Sequence, residues 1–162
     1  MDIKNFNFQY TEFESSKELE SADSILLAKA KEAIAGSYSP YSQFAVGAAV
    51  RLANGQIVKG SNQENAAYPS GLCAERVALF SASSQYPEVA IEAIAIAAKP
   101  LGEDSDAAIV PCGACRQAML EYEHLSQKPM KVFMHGESST IRFFHSAADL
   151  LPFNFIADHL KK

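Results

Sequence analysis

The sequence predicts an α/β fold: a mixed sheet sandwiched between helices in a three-layer α/β/α domain. Three observations lead there. Apolar residues recur at helical spacing in three separated stretches, and apolar runs of strand length alternate with them. An Asn-Gly pair joins two of those runs. A chain of 162 residues, 48% apolar and 20% charged, is long enough to bury one continuous core and a closed pocket.

The elements follow in order. Residues 1–22 read as an N-terminal arm, in which FNFQYTEF alternates weakly and predicts either an extra edge strand or a loose extension; residues 23–162 form the main domain. SADSILLAKAKEAIAGS places Leu26, Leu27, Ala30, Ala33 and Ile34 at helical spacing and stops at Gly36, before the turn YSPYS. QFAVGAAVRL and QIVKGSN flank Asn54 and Gly55 and predict a hairpin, with Phe44, Val46, Ala48 and Val50 alternating onto one face. CAERVALFSASS predicts a second helix, IEAIAIAA a buried strand, CGACRQAMLEYEH a third helix and KVFMHG another strand. Residues 99–111, KPLGEDSDAAIVP, predict a mobile insert whose acidic part, 102–106, reads as a plain surface loop. There is no internal repeat and no low-complexity segment.

Charge narrows the partners. With 19 acidic against 14 basic residues and a net charge of -5, the chain repels phosphate backbones, so nucleic acid is a poor partner and a small neutral ligand a better one. The N-terminal stretch mixes charges and lacks a signal-peptide core, and the longest apolar run, AIAIAA, is far too short to cross a membrane. A soluble cytoplasmic protein is expected. Its three cysteines cannot all pair with one another, and a reducing compartment disfavours pairing, which leaves thiol or metal chemistry.

Two of those cysteines lie in PCGACRQ, residues 111–117. Cys112 and Cys115 are three apart, so in a first helical turn both sulfurs can face one side, with Pro111 marking the entrance. Alone this spacing suits either a redox pair or half of a structural zinc site. The third, Cys73, also stands where a helix begins. Inside a regular helix Cys73 and Glu75 would point about 200° apart, so they converge only if Cys73 precedes the first helical residue. There the positive end of the helix stabilises a thiolate, and two helix starts facing one point can share one ion. Zn²⁺ suits three sulfur ligands, and a set of only three leaves the fourth position for water, as catalytic sites do. None of His124, His135, His145 and His159 sits at ligand spacing from a cysteine.

Taken together, CAE and PCGACRQ, with SPYSQFAVGAA and NQENAAYP upstream, closely resemble the cytidine deaminases of the small homotetrameric type, from about residue 23 to the C-terminus. The resemblance implies Cys73, Cys112 and Cys115 as zinc ligands and Glu75 as the general acid and base. It would move protons from water to the pyrimidine N3 and to the departing amine. Deamination of cytidine and deoxycytidine to uridine, deoxyuridine and ammonia, in pyrimidine salvage, is the implied activity. Cysteine rather than histidine at position 73 goes with the nucleoside class, in keeping with the acidic charge. Three thiolates and Zn²⁺ sum to -1, so positive charge is needed nearby, and Arg76 and Arg116 are placed to hydrogen bond the sulfurs. For Arg116 a surface ion pair is the alternative.

Substrate contacts are implied as well. If residues 62–64 are extended, Asn62 and Glu64 point to one side and can hold a ribose hydroxyl, as the family's matching residues do. The backbone of Ala74 is expected near the pyrimidine carbonyl. Phe44 and Phe155 are candidate aromatic walls, with a core role equally open for Phe44. The tail DLLPFNFIADHL, residues 149–160, carries more apolar surface than one short terminal segment usually buries. In the resembled family a phenylalanine three residues after LLP reaches a neighbour's pyrimidine, so the resemblance implies a homotetramer in which Phe155 is lent to a neighbour; packing on its own domain is the other reading. Phe153 departs from the small residue often found after Pro152. Blasticidin-type deaminases share the zinc motifs but not NQENAAY. A deaminase of such a nucleoside-like compound, a non-catalytic zinc module and a metal-free dithiol protein are the competing functions.

Overall fold

The computed structural model describes residues 1–100, 109–136 and 140–160. Among these residues three α-helices, α1 (Ser21–Ala33), α2 (Ala74–Gln85) and α3 (Gly113–Ser126), accompany six strands. The strands are β1 (Thr11–Phe13), β2 (Phe44–Leu52), β3 (Ile57–Ser61), β4 (Ile91–Pro100), β5 (Lys131–His135) and β6 (Ile141–Phe144). They form one mixed sheet in the order β1-β6-β5-β4-β2-β3. β4 and β5 are parallel, as a crossover through α3 requires, and the other neighbours are antiparallel.

The sandwich follows from the two faces of β4. Its Ala93, Ala95 and Ala97 pack with Leu26, Leu27 and Ala30 of α1 on one side. Its Ile94 and Ile96 pack with Ala78 and Leu79 of α2 and Met119 of α3 on the other. A strand buried on both faces needs no polar alternation, which is why IEAIAIAA reads as continuous. Glycines bring two helices close to the sheet. A Cβ on Gly47 would stand 2.2 Å from the Ala30 carbonyl oxygen of α1, and one on Gly60 2.4 Å from the Ala78 nitrogen of α2. α1 is further fixed by buried Asp23, whose carboxylate meets Arg51 Nη1 at 2.7 Å and Lys131 Nζ at 3.1 Å.

Three expectations are refined. The β2–β3 hairpin forms, but Leu52 N donates to Gln56 O and Gly55 N to Leu52 O, giving a three-residue loop with only Gly55 at positive φ (+83°). That is a type I turn followed by a left-handed glycine, not a two-residue turn. Val46, Ala48 and Val50 enter the core together, whereas Phe44, at the strand's start, stays 37% exposed. The arm supplies an edge strand: β1 pairs with β6, and the rings of Phe8 and Tyr10 stack on Phe144 at 6.3 and 5.5 Å. Most of the expected mobile insert, 101–108, lies outside the described residues.

Candidate active site

Cys73 and Cys112 each hold the extended residue that precedes a helix. Their φ/ψ values are -70°/152° before α2 and -66°/165° before α3. Neither sulfur therefore follows the helical spiral, and both turn into the space between the two helix starts. Buried Cys115 joins them from the first turn of α3. Cys112 Sγ lies 3.4 Å from Cys115 Sγ and 3.9 Å from Cys73 Sγ, and all three sulfurs fall within 4.8 Å of one another. Zn–S bonds of about 2.3 Å at tetrahedral angles put sulfurs about 3.8 Å apart, so the cluster fits Zn²⁺.

The surroundings carry the charge. Cys73 is pulled down to about 5, first by the hydrogen bond from the Cys115 thiol and then by Arg76, against the opposing effect of burial. Cys115 is pushed up by donating that hydrogen bond and by burial. Arg76 Nη2 stands 3.9 Å from Cys73 Sγ, as charge compensation asks. Glu75 is 3% exposed, in the first turn of α2. Burial raises its carboxyl above the ordinary range, and the charge on Cys73 adds to the rise.

Arg116 is a correction. Its Nε donates to Pro111 O at 2.9 Å and its Nη1 to Leu150 O at 3.1 Å, so it holds backbone rather than sulfur. Being the residue after a ligand in a helix turns it about 100° away from the metal.

A cleft of about 530 Å³ opens over Cys73 and Arg76, with Asn62 and Glu64 on its wall. It is made by three short extended pieces laid side by side. Gln63 exchanges backbone hydrogen bonds with Leu72, while Tyr38 N donates to Asn62 O and Glu64 N to Tyr38 O. Glu64 Oε2 accepts from Tyr41 N at 2.9 Å and Ser42 N at 3.2 Å. Its carboxyl is lowered first by the Ser42 hydroxyl, against desolvation, and further by these two amides. Asn62 is used differently. Its Oδ1 accepts from Ser37 Oγ and Val46 N, and its Nδ2 donates to Phe44 O, which leaves one amide hydrogen for a ligand.

Ala74 is buried as the first helical residue of α2, between Cys73 and Glu75. Phe44 is tied by its carbonyl to Asn62 and lies outside the core clusters, so its core role falls away. Phe155 does not line the cleft of its own chain, and the residue is 56% exposed. Tyr41, Ser42 and Tyr68 line the cleft and had no role assigned to them from the sequence, although the first two lie in the quoted turn YSPYS. The signal was there: a turn two residues before β2 and a polar NQEN after β3 must meet at the same sheet end.

Three sulfurs set to hold one metal ion, with a buried carboxyl at hand and an open approach from solvent, are the equipment of hydrolytic zinc enzymes. The family described as the cytidine and deoxycytidylate deaminase zinc-binding region matches residues 20–128. Among curated proteins, the cytidine deaminase of Halalkalibacterium halodurans is 38% identical over 136 residues, covering 84% of this chain and 96% of that one. The cytidine deaminase of Sporosarcina psychrophila is 42% identical over 97 residues, 60% of this chain and 67% of that one. The crystal structure of cytidine deaminase from Burkholderia pseudomallei superposes with a TM-score of 0.69 at 40% identity, covering 81% of this chain and 97% of that one. The chain belongs to the cytidine deaminase family of zinc-dependent hydrolases.

Proposed function

We propose that the chain hydrolyses the 4-amino group of cytidine and deoxycytidine, giving uridine or deoxyuridine and ammonia. The observation that carries this is buried Glu75 beside the three-sulfur cluster, under a cleft whose wall holds Glu64. Cys73, Cys112 and Cys115 would hold Zn²⁺, which would supply Lewis acidity to activate a water. Glu75 does the proton work. Its raised carboxyl pKa suits a group that accepts a proton from the attacking water, gives it to N3 as C4 is attacked, and then helps protonate the departing amine. Arg76 steadies Cys73, and Glu64 with the remaining Asn62 amide hydrogen receives the ribose hydroxyls. Ala74, between ligand and acid, is placed to offer backbone to the pyrimidine carbonyl.

Charge excludes nucleotides. Among the described residues Arg76 is the one cation lining the cleft, it is engaged with Cys73, and Glu64 would oppose a nearby phosphate. A non-catalytic zinc module would ordinarily close the metal with four protein ligands, and among the described residues three stand here. Lack of a histidine at position 73 and the NQEN wall favour nucleosides over other amines.

The same reading includes a homotetramer in the cytoplasm, serving pyrimidine salvage, with Phe155 reaching a neighbour's cleft and Phe44 as a second aromatic wall. In support, the Phe155 ring is exposed although its backbone is anchored by Gln117 Nε2 at 2.8 Å. No described helix is long and apolar enough to cross a membrane. The reading keeps residues 1–22 as an arm on a deaminase domain of 23–162; in support of the arm, the family match covers residues 20–128 and leaves out residues 1–19. The test is ammonia release from cytidine, deoxycytidine, cytosine, cytidine monophosphate and adenosine, alongside metal analysis. Turnover of the two nucleosides with about one zinc per chain is expected; turnover of cytosine equal to cytidine would remove the ribose wall from the account.

A further inference from the structure

α3 grips the C-terminal segment at several places. Near its far end, the Glu123 carboxylate accepts from Ser146 Oγ at 2.8 and 2.9 Å, Ala147 N at 2.8 Å and Ala148 N at 3.3 Å. Near its start, immediately after Cys115, Arg116 donates to Leu150 O and Gln117 donates from Nε2 to Phe155 O at 2.8 Å. Turning the Gln117 amide over would set two oxygens against each other, so its orientation is fixed. Arg116 also holds Pro111 O, the residue before Cys112. The helix that opens at two of the three sulfurs thus carries the tail.

Between Leu150 and Phe155 the tail is otherwise held by buried Leu150 in the core and by the Phe153 ring, 6.4 Å from that of Phe6. It turns at Phe153, which is 98% exposed and takes a left-handed φ of 55° that a bulky side chain adopts only under constraint. Among the described residues, the one aromatic neighbour of the Phe155 ring is His159 of the same segment, at 5.8 Å. The backbone of residue 155 is pinned and its ring is offered outward. A ring on an unpinned segment would sample many directions, and any pocket that used it would have to order it first.

We propose that Gln117 is a positioning residue: its hydrogen bond to the Phe155 carbonyl fixes where the aromatic ring is presented to the nucleoside pocket. This rests on the reading that Phe155 completes such a pocket. Arg116 supports the same segment but also the Cys112 loop, so its loss perturbs metal and tail together, and Gln117 is the cleaner probe. Loss of one neutral hydrogen bond should act on substrate affinity by about threefold to tenfold.

The experiment is a double-variant cycle on the zinc-loaded protein. Gln117→Ala should raise the KM for cytidine about threefold to tenfold with kcat and zinc content unchanged, and add nothing further in a Phe155→Ala background. Gln117→Glu, which keeps the shape but has no donor, should match Gln117→Ala; Gln117→Lys, which keeps a donor, should recover most of the affinity. Additive effects in the double variant, an unchanged KM in both donor-less variants, or a loss confined to kcat would overturn the proposal while leaving the Phe155 reading standing. An unchanged KM in Phe155→Ala itself would remove that reading, and the proposal with it.

Discussion

Glu75 carries the sharpest prediction at the scale of single residues. Glu75→Gln should keep zinc, since the carboxyl is not needed as a ligand, and lose deamination by more than the roughly 10² to 10⁴ of a single proton transfer, because one group serves two. A variant with full zinc and a tenth of the parent rate would sink the assignment. Arg76→Ala should weaken zinc retention or lower activity about 10- to 100-fold, read by metal analysis beside turnover. Glu64→Ala should raise the KM for cytidine. Because the folded chain favours the Glu64 carboxylate, that contribution is present above its depressed pKa and lost as pH falls through it, so KM should be level from about pH 5 to 8. The sequence offers these three residues through their type, their spacing and the family resemblance. It misplaced Arg116, because adjacency to Cys115 along the chain is a turn of about 100° around the helix, toward the tail.

At the scale of elements, the active site depends on how closely α2 lies on β3. Gly60→Ala would press a methyl into the backbone of Ala78 and Ala74 and must displace the start of α2, which carries Cys73 and Glu75. It should cost roughly 1–3 kcal/mol or more in denaturant unfolding and lower zinc retention as well. Gly47→Ala presses on α1 instead, away from the metal, and should destabilise the fold while sparing the zinc content of what remains folded. Equal zinc loss in the two would refute this division. Helical periodicity and the Asn-Gly turn were enough to find α1, α2, α3 and the β2–β3 hairpin. The glycine contacts were not legible, because a missing Cβ matters only where another element comes to lie on it. The sequence leaves β1 open between strand and arm for a like reason: three residues become a strand only when β6 offers an edge.

For the whole molecule, the metal joins two helix starts that are far apart in sequence, so its removal should be felt throughout. Chelation should lower the thermal midpoint, and Cys73→Ala, Cys112→Ala and Cys115→Ala should each lose zinc and solubility. Mixing inactive Glu75→Gln subunits with Phe155→Ala subunits should restore activity if each supplies what the other lacks. A fully active monomer by light scattering would refute the shared site. The sequence by itself determined the chemistry, because three thiols and a carboxyl at helix-start spacing have few other uses and the flanking motifs resemble one family. It determined the layers too, since periodicities of 2 and 3.6 are local properties of the chain. Only the tertiary structure decided which arginine faces sulfur, how much of Asn62 is left for a ligand, what holds Glu64 in place and which helix carries Phe155. Those are relations between segments brought together by packing, and no local pattern encodes the direction in which a side chain will find its partner.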